Sequence, residues 1–178
     1  MVGTFLKRFI LMTVLLALQV LVFNHVEVMN YATPMVCVYF ILLFPIGTSH
    51  WQILLWAFAM GLLQDIFSNT PGMNAASLTL IGFLQPWILK TFSRKDHDDN
   101  DEALALPPSA RTMKWAPFIR YVLTAVVLQQ MCFYVLEAFS FFNLQEMGIN
   151  IGGGTLMSVL IIVAIEGVRN SGAKKQRG

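Results

Sequence analysis

Charge is scarce in this chain. Only 12% of its 178 residues are Asp, Glu, Lys or Arg, against 56% that are hydrophobic, and a water-soluble domain of that size needs far more polar surface. Its two cysteines, Cys37 and Cys132, both lie inside apolar runs, where a packed free thiol is the ordinary outcome, and no C-x-x-C or paired Cys/His spacing suggests a metal. The three histidines, His25, His50 and His97, fall in three separate loops without a partner at ligand spacing. H-E-x-x-H and G-x-S-x-G are both missing, and Asp65 has no second intramembrane aspartate with which to form an acid/base dyad. No catalytic residue, metal or cofactor is therefore expected, and no nucleic-acid partner.

Apolar runs fill the space left by the missing charge. Several reach the 17 to 25 residues that a hydrocarbon slab of about 30 Å demands of a helix, and they are apolar on all sides. Alternation of the strand type is not seen, which argues against an outer-membrane barrel. The fold expected is an all-α integral membrane protein, a compact single-domain bundle of six transmembrane helices. The runs cover residues 9–23, 34–46, 51–67, 73–92, 117–142 and 149–168. The second is the weakest, about 13 residues long with Pro45 in its last turn, where proline ends or kinks a helix. A re-entrant hairpin made of the second and third runs would leave four crossings with the same charge sidedness.

Between the fourth and fifth runs the composition changes. Residues 93–114 carry Asp96, Asp98, Asp99, Asp101 and Glu102, then Pro107-Pro108, which reads as a solvated cytoplasmic linker. Residues 169–178 read as a basic cytoplasmic tail. With six spans and the N-terminus inside, all twelve Lys and Arg residues fall in or beside cytoplasmic segments, so the positive-inside rule puts both termini in the cytoplasm. Trp51, Trp87 and Trp115 then meet at one membrane boundary as an aromatic belt.

The stretch joining the third and fourth runs, Gly61-Leu-Leu-Gln-Asp65 through Pro71-Gly72-Met-Asn74-Ala75-Ala76-Ser77, interrupts hydrocarbon with hydrogen-bonding groups. An aspartate at the centre of a spanning helix costs about 2.5 to 3.5 kcal/mol on insertion scales. Counting from Trp51 at about 1.5 Å per residue puts Asp65 roughly 21 Å along its helix, in the outer third. The plainer expectation is that its carboxylate accepts from backbone N–H groups around Asn74 to Ser77, at the positive end of the fourth helix. The sharper one is a contact to a partner's helix or an outer polar cavity. Elsewhere, Ala57-x-x-x-Gly61 and Gly154-x-x-x-Ser158 are small-residue stripes suited to helix packing. Glu137, with Gln129 and Gln130, is a second polar patch that interhelical hydrogen bonds would explain. Glu166 is placed to snorkel or to pair with Arg169.

Gly61-x-x-x-Asp65 late in the third span, followed by Pro71-Gly72-Met-Asn74-Ala75 opening the fourth, resembles the hallmark of the rod shape-determining protein MreD family. The length and the six short-looped spans are similar too, while the long acidic insert is a departure. The resemblance implies a non-enzymatic subunit of the bacterial cell-elongation complex, multi-pass in the inner (cytoplasmic) membrane among its lipids. It implies an MreC-like single-span partner and, through it, the MreB filament and the peptidoglycan synthases of lateral wall growth. Gly61, Asp65, Gly72 and Asn74 are the positions that carry over, in a partner-binding or structural role. The alternative is a six-helix substrate-binding subunit of an energy-coupling-factor-type vitamin or metal transporter. Against it, the outer segments are short, and the first run, with Ala17 its only alanine, lacks an Ala-x-x-x-Ala pair.

Overall fold

The computed structural model describes residues 2–22, 34–45, 47–93, 107–137 and 144–175. Among them the chain is all-α. Its helices are α1 (Val2–Leu21), α2 (Val38–Leu42), α3 (His50–Ser68), α4 (Met73–Ser93), α5 (Trp115–Glu137) and α6 (Leu144–Lys175). Three are long and apolar enough to cross a membrane: α3, α5 and the Gly148–Ser171 part of α6. That is fewer than the six spans expected. α4 is diluted by Asn74, Gln85 and Pro86, and α2 has only five residues.

The helices run up and down. A Cβ added to Gly61 would touch Ala75, and one added to Gly82 would touch Ala57, so α3 and α4 are antiparallel and in close contact. α4 then packs on α5, and α5 on α6. The start of α1, the stretch after α2 and the far part of α6 meet at one end of the bundle, where Lys7, Arg8 and Arg169 lie together. Trp51, Trp87 and Trp115 are exposed, on the helix halves that belong to that end. The Asp65 hairpin occupies the other.

The second run departs most from expectation. Instead of a helix over 34–46, the chain is irregular to Cys37, helical for five residues, and irregular again up to Pro45. Bonds from Tyr39 N–H to the Val36 carbonyl and from Phe44 N–H to the Ile41 carbonyl make both ends tight i to i−3 turns. Proline explains the far limit, because Pro45 disfavours helical geometry at Phe44. The segment lies at the centre of the bundle, with Val36 to Leu42 between 0 and 2% exposed. So short a helix cannot satisfy its own backbone.

Polar side chains from four other helices do so instead. Gln19 of α1 donates from Nε2 to the Pro34 carbonyl (2.8 Å) and accepts at Oε1 from Val36 N–H (2.8 Å). Met35 N–H donates to Ser158 Oγ of α6 (2.8 Å), whose own proton goes to the Gly154 carbonyl (2.6 Å). Beyond the helix, Tyr121 of α5 donates to the Leu42 carbonyl (3.1 Å) and Gln85 of α4 to the Phe44 carbonyl (2.8 Å). Gln19, Gln85, Tyr121 and Ser158 are each no more than 1% exposed. They read as isolated polar residues in apolar runs, and their common target is one stretch of backbone.

Three further boundaries move. α6 starts before residue 149 and continues through the expected tail to Lys175. α5 begins at Trp115 rather than at Pro117, and residues 138–142 of its expected far end lie outside the described residues. Of the expected linker, Ser93 ends α4, residues 94–106 lie outside the described residues, and residues 107–114 are not a solvated connector. Ser109, Ala110 and Met113 are buried there, because Ala110 N–H donates to Glu166 (3.1 Å) and Ser109 and Thr112 bond each other.

Replacing Gln19 with leucine strands the Pro34 carbonyl and Val36 N–H in an apolar interior. The expected loss is about 2–6 kcal/mol, from ~1–3 kcal/mol for each of the two unsatisfied buried groups. Unfolding in detergent measures it, with Thr13→Val, whose hydroxyl makes only an exposed bond within α1, as a control shifting by less than about 0.5 kcal/mol.

Candidate functional site

The hairpin between α3 and α4 is built on one carboxylate. α3 closes with Asn69 in the left-handed conformation (φ 53°), its N–H bonded to the Asp65 carbonyl, which also accepts from Thr70 N–H (3.2 Å). This left-handed closure is a usual helix ending. Pro71 and Gly72 then reverse the chain, Gly72 with φ +79°, a conformation that an added Cβ strains. Gly72 also occupies the N-cap position of α4, its carbonyl accepting the first helical bond from Ala76 N–H (3.0 Å). A glycine has no side chain with which to cap.

Asp65 supplies the missing cap from the preceding helix. Its Oδ1 accepts from Asn74 N–H (2.9 Å), Asn74 Nδ2 (3.0 Å) and Thr70 Oγ1 (2.7 Å), and its Oδ2 accepts from Ala75 N–H (2.9 Å). Asn74 and Ala75 are the second and third residues of α4, whose N–H groups have no partner within the helix. The carboxylate also lies at the positive end of the α4 dipole. Asp65 is 6% exposed and Asn74 2%.

Gly61 makes that reach possible. It precedes Asp65 by four residues on the same face of α3. A Cβ there would lie 2.5 Å from Ala75 Cα and 2.6 Å from the Asn74 carbonyl oxygen, so the α4 backbone rests directly on the Gly61 backbone. Ala57, one turn earlier and fully buried, continues the contact, since a Cβ added to Gly82 would come 2.9 Å from the Ala57 Cβ. Gly61, Asp65, Gly72 and Asn74 therefore act on a single crossing: close approach, charge, chain reversal and a reciprocal amide. With both carboxylate oxygens bonded within the chain, the arrangement holds a shape.

The remaining candidates separate. Gly154 and Ser158 are buried and face inward, Ser158 tying α6 to Met35. Glu137, the last described residue of α5, is exposed among the described residues. Gln129 and Gln130 are fully buried, Gln129 pointing its Nε2 at Met35 Sδ (3.6 Å). Gln64, the residue before Asp65 in α3, is 3% exposed with its Oε1 unpartnered among the described residues.

Glu166 does more than pair with Arg169 (3.2 Å). It is fully buried and accepts from Tyr39 Oη (2.6 Å) and Ala110 N–H (3.1 Å), while Arg169 also donates to Tyr39 Oη (3.1 Å). One carboxylate thus joins α6, the short α2 and the turn before α5. The available clue was an acid one turn from an arginine near a helix end. Nothing in local spacing brings Tyr39 or Ala110 to it.

The chain matches no family model, no curated protein and no solved structure.

Replacing Asp65 with leucine leaves two α4 N–H groups without acceptors and is expected to cost about 2–6 kcal/mol, from ~1–3 kcal/mol per unsatisfied buried group. Asp65→Asn keeps one acceptor oxygen and should lose less. Gly61→Ala forces a Cβ into backbone and should cost at least about 1–3 kcal/mol. Chemical unfolding in detergent checks all three, and an Asp65→Leu protein as stable as wild type would contradict the cap.

Proposed function

We propose that this chain is a non-enzymatic, multi-pass subunit of the bacterial cell-elongation complex in the inner membrane. In that role it seats an MreC-like single-span protein and, through it, serves the MreB filament and the peptidoglycan synthases. The observation that carries the reading is the way the motif behind the MreD resemblance is used. Gly61, Asp65, Gly72 and Asn74 all serve one helix crossing, as suits a scaffold that offers a fixed shape.

A face for the partner is provided by α6. Only 22% of its spanning window is buried within the bundle, and Ile149, Leu156 and Leu160 are more than half exposed. A Cβ added at Gly148 or Gly152 meets nothing within 4 Å, so a second helix has room for close approach there. In this reading α1, the irregular 34–45 segment and α4 cross as well, giving six crossings with both termini cytoplasmic. The 34–45 segment joins the level of Gln19 and Ser158 to that of Lys7 and Arg169. That depth is about 16–18 Å by the rise of α1 and α6, which supports a crossing more than a shallow re-entrant loop.

Two measurements test the proposal. Tagged protein co-expressed with an MreC-like single-span protein is expected to retain it through detergent purification, and Gly152→Trp to lower that recovery without lowering its own thermal stability. Recovery no better than that of an unrelated single-span protein would sink the partner reading. A cysteine at Ser49, exposed at the start of α3 with no side-chain cap bond, should react with an impermeant thiol reagent only from the cytoplasmic side.

A further inference from the structure

At the basic end of the bundle a half-open cavity of about 410 Å³ lies between α1, the stretch around α2 and α6. Its wall is apolar at Leu11, Phe40 and Leu43, while Lys7, Arg8 and Arg169 supply cations. Its volume falls in the range of small-ligand sites, about 300–1,000 Å³. The Arg8 guanidinium carbon stands 4.7 Å from the centre of the Phe44 ring, a cation–π contact that holds it at the cavity wall. Arg169 is held by Glu166 and by Tyr39 Oη. Among the described residues that is the one ion pair these three cations make. Counted over the described residues, three positive charges less one negative leave two unbalanced beside an apolar wall.

We propose that this cavity binds an anionic membrane phospholipid. Its phosphate lies among Lys7, Arg8 and Arg169, and the first part of its acyl chains covers the half-buried Leu11 and Leu43. Charge complementarity selects an anion. The apolar wall selects one that brings hydrocarbon with it, because a free inorganic phosphate leaves that wall against water. Position agrees: Lys7 and Arg8 stand where the apolar run of α1 begins, at the end carrying the exposed Trp51, Trp87 and Trp115, the level at which headgroups meet hydrocarbon. Glu166 and Tyr39 act as positioning residues, keeping Arg169 turned to the cavity. The inference rests on the membrane character of the chain and is independent of the partner proposed above.

Native mass spectrometry of the full-length protein, released from micelles doped with equal phosphatidylglycerol and phosphatidylcholine, is the test. One phosphatidylglycerol per chain should be retained in preference to phosphatidylcholine. Lys7→Gln and Arg8→Gln should each weaken retention about fivefold, and the double variant about thirtyfold, the effect of ~1 kcal/mol per cation. Lys90→Gln, an exposed cation that does not line the cavity, should leave retention unchanged. Thermal unfolding in uncharged detergent confirms that each variant is folded. Equal retention of both lipids, an equal loss in Lys90→Gln, or displacement by millimolar inorganic phosphate would each overturn the assignment, the last identifying a free-anion site instead.

Discussion

A peptide group withdrawn from water has to find its hydrogen bond inside the protein, and the middle of this bundle is made of backbone that cannot supply its own. Residues 34–45 hold one short helix flanked by irregular chain, almost all of it buried. In hydrocarbon such a stretch is tolerated only inside a protein shell that answers its N–H and carbonyl groups. Gln19, Ser158, Tyr121 and Gln85 answer from α1, α6, α5 and α4. Each bond links the segment to a different helix, so meeting the backbone's demand also fixes the register of the bundle. Lipid gives helices no hydrophobic reason to associate, which makes this polar fastening more consequential here than in a water-soluble bundle.

The Asp65 hairpin meets the same demand by another route. α4 begins at a glycine that cannot cap, and the cap arrives from α3 as the Asp65 side chain accepting from two N–H groups. A local serine or aspartate at position 72 would have capped α4 alone. Placing the carboxylate on the preceding helix couples capping to the α3–α4 crossing, and Gly61 sets the distance at which the coupling works. Glu166 repeats the logic at the opposite end, with Ala110 N–H and Tyr39 as its partners.

What could be read beforehand follows from how local each interaction is. Asp65 and its acceptor role toward Asn74 and Ala75 were legible because the hairpin spans ten residues, and a lone acid beside a helix start leaves few other uses. α3 and α4 were legible to within a residue at each end for the same reason. The break in the second run was only hinted at by Pro45, since its cause lies in polar side chains supplied from Gln19, Gln85 and Ser158. Gln19 and Gln85 are single polar residues in apolar runs, and periodicity cannot tell whether such a residue meets a neighbouring helix or a broken backbone. Residues 107–114 looked solvated by composition. Their burial depends on Glu166, more than fifty residues away in the chain.

These fastenings divide the molecule into an inward polar framework and an outward apolar skin. Buried Gln, Ser, Asn, Tyr, Asp and Glu side chains lie inside, while the outer faces of α1, α3 and α6 show Phe, Leu and Ile. The arrangement differs from a soluble bundle in its outer apolar skin, while the interior sets its polar side chains among a larger number of buried apolar ones such as Ile53, Leu78 and Val122. It leaves the interior with few discrete ways to rearrange, because moving α2 relative to any neighbour breaks a buried hydrogen bond with no water to replace it. Rigidity of that kind suits a subunit whose contribution is a surface of fixed shape. The open face of α6 and the cationic cavity beside α1 are where such a surface has room for something else to bind, and neither lies on the Asp65 crossing that holds the shape.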